Sequence, residues 1–376
     1  MIINHIPLNR PSLLGLEFVY MGSVADGQAE PGYFTKACED LLESYFDGAR
    51  VLLTSSGTSA LELAAMLLPE RRGTHAVMPT FTFSSTANAF MRSGIKPRFV
   101  DIRADTFNMD EREASWIVDH NTAAIVPVHY GGVACEIFSI LRTGHRWGIP
   151  VVEDNAHGIF GEVDHAKLGT IGSMAALSFH ETKNFQCGEG GALVIKEADV
   201  GLAERIRDKG TNRAALIRGE VDKYTWTDVG SSFVLAEMSA AYLFAQLENR
   251  EHVRLARRAA YNTYFLGLRD WCRETGSRMQ HIPDDCTSTH HLFPLVLPSE
   301  EARNRLVDHL KLQGIGAAFH YVPLHLSPMG ERLGYRNGQF PVAEEVASRL
   351  VRLPIYPGLT SQQQAFVIEC VRESGV

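Results

Sequence analysis

The sequence predicts an α/β fold, a largely parallel sheet with helices on both faces, followed by a smaller C-terminal α+β domain. Three observations lead there. Short β-branched runs, "HAVMPTFTF", "KPRFVDI", "AAIVPVHY", "IPVVEDNAHG", "AALSFH" and "GALVIK", read as strands. Amphipathic stretches such as "SALELAAMLL" and "IFSILRTGHRWG" fall between several of them and read as helices. Strands that alternate with helices pair in parallel, because each crossover helix must pack back onto the sheet. From Leu247 to Ala259 the chain becomes "LENREHVRLARRA", a charged connecting helix, and the domain change is placed there. Residues 1–245 then form the large domain and 246–376 the small one, with residues 1–20 free to pack against the latter. In the small domain "HHLFPLVL" and "GIGAAFHYVP" read as strands and "EARNRLVDHLKLQG" as a helix.

Composition narrows the function. A chain of 376 residues with 45% hydrophobic and 21% charged residues has the make-up of a compact soluble protein. Its net charge of -8 gives no general attraction to nucleic acid or anionic membrane, so an anionic ligand needs a local site. The six cysteines are scattered without a C-x-x-C pair, and the start "MIINHIPLNRPSLLG" has no leader pattern; a cytoplasmic location is expected. His129, His180, His320 and His325 form no H-E-x-x-H motif, and no metal is expected.

In such a sheet ligands gather at the carboxyl ends of the strands. "IPVVED" ends in Glu153 and Asp154, either a cofactor contact or an ordinary cap. "VLLTSSGTSALELAAMLL" passes from a strand through Gly57, Thr58 and Ser59 into a helix, which suits a phosphate cradle as well as a simple capping turn. In "SFHETKNFQCGEGGALV", Lys183 precedes glycines that lead into a strand, so neither a P-loop nor a dinucleotide fingerprint fits. An amine, a carboxylate, a phosphate cradle and the aromatic faces of Phe81 and Phe83 together are what pyridoxal phosphate requires.

These stretches, with "GYFTKACE", "VPVHYGGVACE", "FHYVPLH" and "RLPIYP", resemble the pyridoxal-phosphate-dependent sugar-nucleotide aminotransferases of fold type I over nearly the whole chain. Within that family "KGTNRAALIRGEVDKYTWTDVGSS" is most similar to the subgroup of dTDP-4-amino-4,6-dideoxygalactose transaminases. The resemblance implies a seven-stranded, mostly parallel sheet. It implies Lys183 as the residue that holds the cofactor covalently and Asp154 as partner of the ring nitrogen. His157 falls at the ring hydroxyl, Phe83 on the ring face, and Gly57, Thr58, Ser59 and Ser178 around the phosphate. A pattern G-x-N-x-R, which brings an Asn from a partner subunit to the phosphate, here reads "GSSFV", so Ser232 replaces Asn and Val234 replaces Arg. The implied reaction is ping-pong transfer of an amino group from L-glutamate to the 4-keto position of a dTDP-4-keto-6-deoxyhexose, in a homodimer with shared sites. Amination at a 3-keto position and a non-catalytic regulatory role are the alternatives; related dehydratases carry His in place of the lysine. Charge for the diphosphate is expected from Lys223 and from Arg213 or Arg218, and stacking or hydroxyl contacts from Tyr224, Trp226, His320, Tyr321 and His325.

Overall fold

The structure, a computed structural model, describes residues 5–69 and 74–376. Thirteen strands occur among the described residues. Seven of them are β1 (Arg50–Thr54), β2 (His75–Pro79), β3 (Lys96–Val100), β4 (Thr122–Ile125), β5 (Val152–Asp154), β8 (Met174–Ser178) and β9 (Gly191–Ile195). Two short strands between β5 and β8, β6 (Glu162–Val163) and β7 (Ala166–Lys167), make a hairpin that pairs with β11 (Cys286–Thr287). Near the C-terminus β10 (Arg278–Met279), β12 (Phe293–Val296) and β13 (Leu350–Leu353) form an antiparallel sheet in the order β10-β12-β13.

Ladders in the orders β1-β9-β8-β5 and β3-β2-β4 are joined by parallel bridges from Ile125 to Val151 and from Val128 to Asp154. The result is one sheet, β3-β2-β4-β5-β8-β9-β1, in which β9 alone runs against the rest. This is the mostly parallel seven-stranded sheet of fold type I. Its inner parallel strands β2, β4, β5 and β8 are buried along nearly their whole length, while the edge strand β3 leaves Lys96 exposed.

Helices Gly57–Met66 and Ser84–Arg92 cover one face, whose core includes Leu52, Met78, Phe90 and Ala176 and also takes in Val296, Phe340 and Leu350 from the C-terminal part. On the other face Tyr33–Tyr45 and Glu237–Glu248 pack over Val51, Leu53, Leu177 and Val194. A separate core forms around Tyr264, Phe293, Leu306 and Val351, with Ile6 inserted from the N-terminal segment. The charged connector is two helices meeting at Asn249, the second running the full length Arg250–Thr275.

"GIGAAFHYVP" departs from the strand expected of it. Ile315 bridges only to Ile6 and Ala318 only to Arg352. Gly314 and Tyr321 adopt left-handed φ of 74° and 55°, which turns the chain out of any ladder at both ends.

Candidate active site

The carboxyl ends of β1, β2, β5 and β8 open on one edge of the sheet, and a cavity of about 580 Å³ lies there. Helix Gly57–Met66 points its first turn at it. Ser56 caps the helix, its hydroxyl accepting the Ser59 N–H at 3.0 Å, while the N–H groups of Gly57 and Thr58 have no intrahelical acceptor and stand at the positive end of the dipole. The chain approaches so closely here that only glycine fits. A Cβ on Gly57 would lie 2.9 Å from that of Ser178, and one on Gly191 would lie 2.4 Å from the Ser56 carbonyl group. Thr58, Ser85 and Ser178 line the wall, Thr58 and Ser85 sharing a 2.7 Å hydrogen bond. Ser59 sits behind it, its hydroxyl engaged by Ser55 and Ser56.

Strand alternation separates the two neighbouring acids at the end of β5. Glu153 points away and is saturated by His129 Nε2 at 2.9 Å and by the N–H groups of Gly169, Ile171 and Gly172. Asp154 faces the cavity. Thr86 donates to its Oδ2 at 2.7 Å and the Ala156 N–H to its Oδ1 at 3.3 Å. Since Thr86 gives its proton to Asp154, its 2.8 Å contact with Thr82 makes Thr82 the donor there. Burial pushes the Asp154 carboxyl up, and Thr86 and Lys183 pull it back.

Lys183 hangs in the loop of the β8–β9 hairpin, whose ladder continues through Phe179 N–H to Gly190 O and Glu181 N–H to Gly188 O. Its amine is lowered to about 8, first by burial and then by Arg352, with Asp154 opposing. Part of the side chain still borders the cavity. The next residue fixes the loop: Asn184 donates to the Thr289 carbonyl at 3.1 Å and accepts from His291 Nδ1 at 2.8 Å.

His157 receives the Gly131 N–H on Nδ1 at 3.2 Å, which places its proton on Nε2 and makes that atom a donor. Burial holds the ring neutral. Phe83, 58% exposed at the start of helix Ser84–Arg92, presents a free aromatic face. His320 and Tyr321 also line the wall, their rings stacked with centroids 3.6 Å apart, and His320 Nδ1 lies 2.7 Å from the Tyr130 hydroxyl.

Of the expected site residues, Gly57, Thr58, Phe83, Asp154, His157, Ser178, Lys183, His320 and Tyr321 thus meet around one cavity. Others do not reach it. His325 is fully buried, and its two ring nitrogens are taken by Thr80 at 2.7 Å and Glu344 at 2.9 Å, because a 3₁₀ turn at Leu324–Leu326 swings it inward. Arg213 pairs with Asp208, and Arg218 with Glu204 and Glu220. Lys223, Tyr224 and Trp226 stand exposed on a loop pinned by Asn212, and Ser232 bridges to Asp208 outside the cavity. Sequence reasoning passed over Ser85, Thr86, His291 and Arg352. Only Arg352 carried a signal, as a lone charge in the apolar run "LVRLPIY".

The donor set fits pyridoxal phosphate: open N–H groups and hydroxyls for the phosphate, a buried carboxylate, an amine, a donor for a ring oxygen and a free aromatic face. The sequence profile of the DegT/DnrJ/EryC1/StrS aminotransferase family matches residues 21–372. The chain belongs to this family. Pyridoxal phosphate is its cofactor and transamination its chemistry. The aminotransferase is 31% identical to the erythromycin biosynthesis sensory transduction protein EryC1 of Saccharopolyspora erythraea over 90% of this chain and 89% of that protein. It is 27% identical to the GDP-perosamine synthase of Vibrio cholerae over 98% of both. Among solved structures, S. venezuelae DesV superposes with a TM-score of 0.88 at 28% identity, covering 99% of each chain. The putative sugar aminotransferase Spr1654 of Streptococcus pneumoniae shares the fold at 0.90 and 24% identity, over 98% of this chain and 99% of that one.

Proposed function

We propose that the aminotransferase carries an amino group from L-glutamate to the 4-keto position of a thymidine-diphospho 4-keto-6-deoxyhexose and works as a homodimer with shared sites. The observation that carries the catalytic assignment is that Lys183, its amine lowered to about 8, lines one cavity together with Asp154 and the helix tip. An amine so poised is part-neutral near pH 7 and can take a proton from the α-carbon of the amino donor and return it. When bound, pyridoxal phosphate supplies the electron sink that makes that carbon acidic. Asp154 would hold the proton on the ring nitrogen, His157 Nε2 would donate to the ring oxygen, Phe83 would cover one ring face, and the tip of helix Gly57–Met66 would hold the phosphate.

The sugar and the dimer rest on the loop 211–229. Lys223 with Tyr224 and Trp226, the latter two 55% and 76% exposed, offers a cation and aromatic faces beyond the chain's own cavity, which suits delivery to a neighbouring subunit's site. Naming of one relative for GDP-perosamine synthesis supports a nucleotide-linked substrate.

The test is incubation with L-glutamate and a panel of nucleotide ketosugars, with NMR of the products. Amination at C4 of the thymidine-linked sugar is expected; amination found only on a 3-keto sugar overturns the substrate. Borohydride reduction and peptide mapping should label Lys183 and no other lysine. Light scattering that shows only active monomer at micromolar concentration would overturn the dimer.

A further inference from the structure

Lys183 and His157 both belong to the large sheet, and both lean on one ring of the C-terminal part, that of His291. Asn184, the residue after Lys183, sends its amide N–H to the Thr289 carbonyl at 3.1 Å. A carbonyl only accepts, so the amide oxygen is the atom that meets His291 Nδ1 at 2.8 Å, and the histidine is the donor there. The ring is thereby fixed with its proton on Nδ1, and burial keeps it neutral. On the other side of the lysine, the Lys183 N–H donates to the His180 carbonyl at 2.8 Å. Lys183 is thus held from two directions, once by its own hairpin and once through His291. The face of the same ring packs on His157, with centroids 4.3 Å and planes 33° apart. Among the described residues only the Gly131 N–H bonds to the His157 ring, so the stack supplies its other restraint. The backbone that carries His291 is set independently of the ring. The His291 and Thr289 N–H groups donate to the carbonyls of Gly131 and Gly132, each at 3.2 Å, and the Thr289 hydroxyl donates to the His157 carbonyl at 2.6 Å. A Cβ on Gly132 would collide with that hydroxyl. From behind, the fully buried Arg257 donates from Nη1 to the His291 carbonyl at 3.2 Å.

We propose that His291 is a positioning residue of this site, one imidazole that aims Lys183 through Asn184 with its Nδ1–H and steadies His157 with its face. The inference rests on the reading of Lys183 as the proton carrier, made above. A proton carrier must return to the same carbon in each half-reaction, and a small misplacement of it slows the transfer steeply without weakening substrate binding. The two contacts of the ring are chemically separable. Phenylalanine keeps a face against His157 and loses the donor to Asn184; asparagine places an N–H near the position of Nδ1 and loses the face.

The experiment uses the full-length, pyridoxal-phosphate-loaded protein and reads two quantities. Backbone hydrogen exchange, followed by mass spectrometry, reports the order of the peptide that spans residues 179–190. The glutamate half-reaction, run with glutamate carrying hydrogen or deuterium on its α-carbon, reports how far the proton transfer limits the rate. His291→Phe should speed exchange in that peptide, lower kcat about tenfold or more with KM for glutamate little changed, and enlarge the isotope effect. His291→Asn should bring exchange and isotope effect back toward wild type and weaken cofactor binding instead, because His157 has lost its support. A His291→Phe protein with wild-type exchange in that peptide and a wild-type isotope effect overturns the proposal. So does faster exchange throughout the chain that His291→Asn does not relieve, which would make the ring ordinary packing. Should His291→Phe not fold, Asn184→Ala cuts the same hydrogen bond from its other end, and a wild-type isotope effect there overturns the proposal equally. A wild-type protein that aminates no ketosugar, while His291→Phe slows the glutamate half-reaction as expected, sinks the substrate proposed above and leaves this positioning standing.

Discussion

Replacing Lys183 by methionine should abolish activity and yet stabilise the cofactor-free protein. The amine falls from its ordinary 10.5 to about 8, chiefly through burial and in spite of the attraction of Asp154. A displacement of that size corresponds to about 3.4 kcal/mol of disfavoured charge. Because part of the side chain borders the open cavity, solvent screening reduces the figure to about 1–3 kcal/mol. A lysine whose folded pKa lies below its unfolded value makes the native state the poorer proton binder. The penalty is therefore in full force below pH 8, shrinks as the pH rises from about 8 toward 10.5, and is gone above that. Methionine keeps the length of the side chain and drops the charge. Urea denaturation of cofactor-free samples at pH 7, followed by circular dichroism, should show Lys183→Met more stable by about 1–3 kcal/mol. The gap should close as the pH approaches 10. A variant no more stable than wild type at pH 7, or a gap that widens with pH, would refute the reasoning.

Thr86→Val removes the donor on Asp154 Oδ2 and raises that carboxyl further, so turnover should fall about tenfold while the amount of covalently held cofactor, read from its absorbance, stays constant. An unchanged kcat would dismiss the hydroxyl relay from Thr82. Gly191→Ala would drive a Cβ into backbone 2.4 Å away and displace the helix tip; cofactor affinity, followed by fluorescence titration, should drop at least about tenfold, and a wild-type Kd would show that the tip does not hold the phosphate. Lys223→Ala should cost roughly 1.5–3 kcal/mol in the nucleotide-sugar half-reaction and leave the glutamate half-reaction intact. Equal loss in both would give Lys223 a role in folding instead.

The parts of this site that could be read from the sequence are those fixed by strand periodicity. Asp154 and the Gly57–Ser59 turn end apolar runs, and in a parallel sheet those ends must share one edge. Lys183 by itself reads as a surface charge, since its glycines precede a strand and exclude the nucleotide loops; its company with the acid, the hydroxyl turn and the aromatics singles it out. What escaped was set by tertiary contact. Thr86 gains its meaning from Asp154, 68 positions away, and Asn184 from His291, 107 positions away. "FHYVPLH" treats His320 and His325 as equals, but the turn between them gives one to the cavity and the other to Thr80 and Glu344. The strand expected over "GIGAAFHYVP" is reduced to single bridges at Ile315 and Ala318, between left-handed residues at Gly314 and Tyr321 that end the extended stretch.

The tie from Asn184 to Thr289 and His291 means that the lysine loop belongs to the large sheet by sequence and to the C-terminal part by restraint. A gene cut after the helix ending at Thr275 would encode the whole seven-stranded sheet and its lysine, but neither the Thr289 carbonyl nor the His291 ring that holds Asn184. Such a fragment would keep the hairpin that bears Lys183 and lose the two contacts that fix the residue after it. The smallest piece of this protein able to aim its own amine therefore extends well past the sheet that bears it.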